Sequence, residues 1–274
     1  MRRTSTLLAL CLIVSVASLA PFAWMVLTSI KPDREVTAVP PVYWPSRVET
    51  GSYREVFEQR PFGRFLFNSL RVSAGTTLLT VALAALAAYP LARGRMRGAA
   101  WVERALLVGA VFPPIVLVAP LYELSWRVGA LNRPVTLVVA YTALNLPFAV
   151  WSLAGYFRSL PSEIEDAARV DGFTRMGLLT RIVLPLSAPG LATTGMLVFI
   201  FAWNEFLLAW VLMPHEMART VPVGIAMLTG VSEYEVPWDQ ISAAVVLTTL
   251  PVVALVLAAQ KRIVEGLTAG GVKG

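Results

Sequence analysis

The chain reads as an all-α polytopic membrane protein with six transmembrane helices and both termini in the cytoplasm. Three observations predict this. Apolar residues make up 57% of the 274 positions and charged residues only 15%, for a mean hydropathy of +0.67. Six stretches of bilayer length are almost free of charge. The excess of basic over acidic residues falls entirely in alternate connections between those stretches. A soluble domain of this size would carry roughly a quarter charged residues, and a disordered chain would be poorer in apolar residues still. One cysteine, Cys11, and one histidine, His215, exclude an internal disulfide, a zinc cluster and a Cys/His catalytic constellation.

A spanning helix needs about 20 mostly apolar residues, each adding ~1.5 Å across ~30 Å of hydrocarbon. Residues 4–30 carry no charge, so residues 1–30 are expected to form an N-terminal transmembrane helix. Arg2 and Arg3 before the run, and Ala17-Ser18-Leu19-Ala20 within it, are features of a signal peptide. The run continues to Ile30, however, too long for a signal's apolar core. Residues 31–65 follow as an extracytoplasmic loop, with polar chain continuing to Arg71. Pro32, Pro40, Pro41, Pro45 and Pro61 punctuate it, and Tyr43, Trp44, Tyr53 and Phe57 suit either a cap for an external partner or interfacial anchors.

The rest of the membrane-embedded chain, residues 66–262, holds spans at about 72–92, 105–122, 134–157, 191–212 and 240–260, followed by a cytoplasmic tail, 263–274. Pro113-Pro114, Pro120 and Pro147 lack amide donors and should kink their helices, while Gly190 and Gly195 let helices approach closely. The outer segment 213–239 is acidic and has room for a short re-entrant structure around residues 221–230.

Charge sets the orientation. With the N-terminus inside, thirteen bases and six acids fall in the cytoplasm, ten of each fall outside, and Glu205 lies within a span. The whole excess behind the net charge of +6 thus sits on one membrane face, as the positive-inside rule expects, and nucleic acid is not needed to explain it.

Between the fourth and fifth spans, residues 161–185 carry the punctuation of two short helices. Ser162 and Glu165 have capping-box spacing, Gly172 can end a helix in the left-handed conformation, Thr174 can cap the next helix, and Pro185 should stop it. The result is an elbow in the cytoplasm. Ala167 and Ala168 would admit a partner's surface closely, and Glu163, Asp166, Arg169 and Asp171 would offer polar contacts. Periodicity alone fits equally well an amphipathic connector resting on headgroups.

The series Asp166-Ala167-Ala168, Gly172 and Ile182-Val183-Leu184-Pro185 resembles the cytoplasmic EAA loop of ATP-binding-cassette (ABC) importer permeases, with Asp166 in place of the family's leading glutamate. Trp203-Asn204-Glu205-Phe206 and the terminal Gly266-Leu267-Thr268-Ala269-Gly270-Gly271 resemble the shorter permease subunit of maltose-type carbohydrate importers. The resemblance implies the type I ABC importer permease fold in a prokaryotic cell membrane. It also implies a second homologous permease in a heterodimer, two ATP-binding subunits and an extracytoplasmic solute-binding protein. Glu163, Asp166, Ala167, Ala168, Arg169, Asp171 and Gly172 would then couple to the ATPases.

The chain itself is expected to be non-catalytic and free of cofactor. Gly172 and Gly177 have phosphate-loop spacing, but Leu178 and Leu179 stand where Lys and Ser/Thr are required, so ATP and magnesium belong to partner subunits.

Glu205, ~21 Å along a helix begun at Leu191, is costly to bury in lipid and should face protein or water. With Trp203, Asn204 and Phe206 it is expected to form part of the solute pathway or gate; the alternative is a residue that only fixes helix packing. Three other functions stay open: an ABC permease for another small solute, an ion-coupled secondary transporter using Glu205, and a non-transporting scaffold.

Overall fold

The computed structural model describes residues 2–94, 98–230 and 236–271; Arg95, Arg97, Glu233, Glu235 and Lys273, all counted in the charge balance, lie outside it, as does the tail beyond Gly271. Among the described residues the chain is helical throughout, without a strand. In order it forms α1 (Arg2–Thr28), α2 (Asp33–Val36), α3 (Gly51–Gln59), α4 (Phe62–Ala92), α5 (Ala99–Val111), α6 (Ile115–Arg127) and α7 (Pro134–Ser159). Next come α8 (Ser162–Val170), α9 (Arg175–Leu178), a π-helical turn (Leu179–Val183), α10 (Leu184–Leu186), α11 (Ala188–Asn204) and α12 (Leu207–Leu212). Single 3-10 turns flank α13 (Val221–Ala226), and α14 (Trp238–Gly271) closes the chain.

Among the described residues, four helices are long and apolar enough to cross a membrane: Thr6–Thr28, Phe62–Ala92, Pro134–Ser159 and Trp238–Ala258. Two bent pairs bring the number to six if each is one span. The pair α5 and α6 meets at 88°, where the single expected span 105–122 would have been. Proline explains the break: Phe112, preceding Pro113, is forced extended (φ −64°, ψ 129°), and neither Pro113 nor Pro114 can donate a helical hydrogen bond. The second pair, Arg175–Leu186 with Ala188–Asn204, bends by 79°. Its helix ends not at Pro185 but two residues on, at Ser187: Pro185 directly follows the π-helical turn Leu179–Val183, whose wider hydrogen-bond spacing accommodates a residue without an amide donor.

Two further expectations need correction. α4 starts at Phe62, ten residues before the expected 72, because its first turns are held by packing rather than by lipid. The expected span 191–212 is not continuous: α11 ends at Asn204, Glu205 is extended (φ −69°, ψ 125°), and α12 restarts at Leu207.

The chain divides into two units, one made of residues 1–66 and 221–252, the other of residues 67–220 and 253–274. In the first, Val56, Phe62 and Phe65 are buried with Val221 and Leu228, so residues 221–230 form a short helical segment that buries Val221, Val223, Gly224 and Leu228. Gly224 is required there, since a Cβ would stand 2.3 Å from the Phe65 ring. The segment between α1 and α4 is tied down rather than free. The hydroxyls of Ser29 and Tyr53 share a hydrogen bond at 2.8 Å, Gln240 Nε2 donates to Glu55 at 2.7 Å, and buried Lys31 sits 4.0 Å over the Trp24 ring.

In the second unit, α7 packs against α5 and α11. Ala84 and Ala88, one turn apart on α4, keep its surface low and share a buried cluster with Leu153, Ala154, Phe157, Leu179 and Val183. Large apolar side chains such as Leu8, Leu78, Val111 and Leu257 stand exposed along the long helices, the outer surface expected of helices in hydrocarbon.

Candidate functional site

The elbow is built by punctuation at both ends of α8. Pro161 precedes it, extended at ψ 130°. At the far end Gly172 adopts φ +81°, and two hydrogen bonds close the helix: Gly172 N to the Arg169 carbonyl and Phe173 N to the Ala168 carbonyl, both 3.1 Å. This is a Schellman closure, which needs the left-handed conformation that glycine adopts without a Cβ clash. Thr174 Oγ1 then accepts from Gly177 N at 3.2 Å and caps α9, as expected.

The capping box at Ser162 and Glu165 does not form. The α8 N-terminus has no side-chain cap, and Glu165 turns inward instead, only 2% exposed. Both of its oxygens are held. Arg93 Nε donates to Oε1 at 2.6 Å, and the Tyr89 hydroxyl donates to Oε2 at 2.9 Å. Arg93 also reaches the Leu160 carbonyl at 3.4 Å, and Arg169 Nη2 reaches Oε2 at 3.4 Å. Breaking one partner of such a buried pair costs on the order of 3–5 kcal/mol, far more than an exposed pair contributes.

Of the expected coupling residues, Glu163, Asp166, Ala167, Arg169, Asp171 and Gly172 are exposed, and Asp166 and Arg169 pair at 2.9 Å. Ala168 is the exception. It faces inward on the same side of α8 as Glu165 and offers a partner no surface. An open groove of about 540 Å³ adjoins the exposed face, lined by Asp171, Gly172, Thr174, Met176 and Arg181 among others.

Around Glu205 the four expected residues separate. Trp203 is buried and stacked on Phe199 with ring centroids 5.6 Å apart. Asn204 is exposed, with its amide donating to the Ile200 carbonyl of its own helix at 2.8 Å. Phe206 is exposed, its ring 5.5 Å from that of Trp210. Half-buried Glu205 accepts from Leu208 N at 2.9 Å and Ala209 N at 3.2 Å, so the carboxylate caps the N-terminus of α12. The buried Tyr141 hydroxyl lies beside Glu205, close enough to interact electrostatically but short of hydrogen-bond geometry.

Several residues that matter here gave no local sequence signal. Asn132, at φ +61°, donates its amide to the Leu212 carbonyl at 3.0 Å and accepts from His215 N at 2.7 Å, pinning the far end of α12. Asn68 holds the next segment through the carbonyls of Met217 and Arg219, at 3.0 and 2.9 Å. Arg93 entered only as an orientation charge. The one clue to Glu165 was its spacing, three residues before Ala168 on what proves to be the buried stripe.

Residues 65–268 match the family described as the binding-protein-dependent transport system inner membrane component. Among characterised relatives, the sulfoquinovosyl glycerol transport system permease protein SmoH of Agrobacterium fabrum is 40% identical, covering 96% of this chain and 91% of that protein. The trehalose transport system permease protein SugB of Mycobacterium tuberculosis is 39% identical over 94% and 93%. The trehalose/maltose transport system permease protein MalG of Thermococcus litoralis is 39% identical over 96% and 94%. In fold, a chain of a bacterial ABC transporter involved in the import of the acidic polysaccharide alginate superposes with a TM-score of 0.78 at 22% identity, covering 95% of this chain and 96% of that one. The fold is therefore that of an ABC importer permease, and with the elbow, the apolar helices and a family match across most of its length, the chain belongs to the binding-protein-dependent transport system inner membrane component family.

Proposed function

We propose that this chain is a permease subunit through which a carbohydrate, handed over by an extracytoplasmic binding protein, crosses a prokaryotic inner membrane at the expense of ATP hydrolysed elsewhere. It works beside a second homologous permease, with two ATP-binding subunits docked on the cytoplasmic elbows and both termini on that same side. The observation that carries this reading is the elbow itself. α8 is closed by a left-handed Gly172, displays Glu163, Asp166, Ala167, Arg169, Asp171 and Gly172 outward, and borders an open groove. The names of the relatives above favour polyhydroxylated solutes such as trehalose and maltose.

In this reading Asn204, Glu205 and Phe206 belong to a gate rather than to a fixed sugar site. Glu205 spends its carboxylate on the amides of α12, so its charge holds a short helix in place at the break in the span. A ligand shifts such an equilibrium only as far as it binds the two states differently. The ATPases must therefore grip the elbow differently when closed and open.

The test is reconstitution of the full complex with its binding protein in liposomes, followed by uptake of radiolabelled trehalose and maltose. Accumulation that requires ATP inside the ATPase-bearing compartment supports the reading. Accumulation driven by an ion gradient without ATP, or ATPase binding without flux, overturns it.

A further inference from the structure

α8 is bounded by two breaks in the helical backbone, the extended Leu160-Pro161 step before it and the left-handed Gly172 after it. Because the α-helical hydrogen-bond ladder is interrupted at both breaks, it does not by itself carry a load from α8 into the neighbouring helices. The buried cluster supplies a third attachment. Tyr89 and Arg93, one turn apart near the end of α4, grip the two oxygens of Glu165 from positions 76 and 72 residues away in sequence. Arg93 reaches in addition the Leu160 carbonyl at the end of α7, so one guanidinium joins α4, α7 and α8. Toward the surface, Arg169 bonds both Glu165 and exposed Asp166, which makes the chain of contacts continuous from the exposed face of the elbow to the span. The ion pairs Arg54–Glu58 and Arg127–Glu123 are largely exposed and lie within single helices, and Arg158–Glu103, which joins α7 to α5, is more exposed than the Glu165 pair.

We propose that Glu165 is a positioning residue for energy coupling: through Arg93 and Tyr89 it makes the elbow and the end of α4 one rigid body, so that movement imposed on α8 by a docked ATPase reaches the span. The inference rests on the function proposed above. It goes beyond it by assigning the transmission to three side chains that lie behind the exposed face of the elbow.

Two measurements test it in the reconstituted complex. Spin labels at Ser162→Cys and Leu86→Cys, in a Cys11→Ser background, report the separation of α8 and α4 without nucleotide and with ATP plus vanadate. The expected separation is constant to within about 2 Å, the scale of a small helix shift, and a larger change overturns the proposal. In the second, Glu165→Gln and Arg93→Lys keep the ATPase bound and hydrolysing, while trehalose taken up per ATP falls roughly tenfold or more, within the usual range of a coupling free energy. Uptake and hydrolysis falling in parallel, or no fall, overturns it. If the variants do not accumulate, the distance measurement on the Glu165-intact protein decides alone. Absence of ATP-dependent uptake by the unsubstituted complex counts against the proposed function and not against the rigid link, whose distance measurement needs no solute.

Discussion

The carboxylate of Glu205 accepts the amide N–H of Leu208 at 2.9 Å, and this bond starts a new helix inside what the apolar pattern presents as a single span. Four amides at a helix start lack internal partners, and a negative charge there also meets the positive end of the helix dipole. A carboxylate that would be a liability in lipid thus becomes the structural cause of α12.

Glu205→Ala should therefore lower stability by about 1–2 kcal/mol, the sum of a lost cap and a lost charge–dipole contact. Glu205→Gln keeps an acceptor and should lose less than half as much, with uptake following stability in both variants. Thermal unfolding in detergent beside solute uptake checks this. Loss of uptake in Glu205→Gln at undiminished stability would show the charge acting on the solute.

Gly172→Val should disable the elbow without touching membrane insertion. A Cβ at this position meets nothing within 4 Å, so the damage comes from backbone conformation alone. Holding a β-branched residue at φ +81° costs roughly 1–2 kcal/mol, enough to unwind the Schellman closure and turn the exposed face of α8. Co-purification of the ATPase should fall while the amount of permease in the membrane is unchanged.

Gly190→Ala should be damaging for the opposite reason. Its Cβ would lie 2.5 Å from Tyr156 Cγ, a distance that forces α11 away from α7. Overpacking of this kind costs about 1–3 kcal/mol. Adding Tyr156→Ala should recover part of the loss, as measured by thermal unfolding of the single and double variants.

The segment between α1 and α4 should loosen in acid. The Ser46 hydroxyl and amide both donate to Glu35 and hold its carboxyl below the ordinary value. A depressed folded value means that the stabilisation is complete above the unfolded carboxylate pKa, about 4.3, and is lost as pH falls below it through the folded value. Protection of the Ser46 amide from hydrogen exchange should accordingly persist at neutral pH and disappear in acid. Glu35→Gln should abolish that pH dependence.

The elbow shows what was legible in advance and what was not. Gly172 and Thr174 could be read as terminators because the left-handed conformation and the hydroxyl cap are properties of single residues in their local frame. Ser162 and Glu165 had equally good local spacing, yet no capping box forms, because Arg93 and Tyr89 offer Glu165 a buried site with stronger partners. The prolines at 113 and 114 announced a break. Trp203-Asn204-Glu205-Phe206 contains neither proline nor glycine, so its break was hidden until Glu205 could be seen reaching the next turn.

Apolar length, the excess of bases in alternate connections and the residues that end α8 were determined by the sequence alone, since each depends on composition or on a few adjacent residues. Tertiary structure alone decided that Glu165 points inward, that Ala168 is unavailable to a partner and that Asn132 clasps α12. Each of these is a contest between solvent, local backbone and a partner tens of residues away. The winner is whichever arrangement leaves the fewest buried polar groups unpaired, and that can be judged only once the helices are packed.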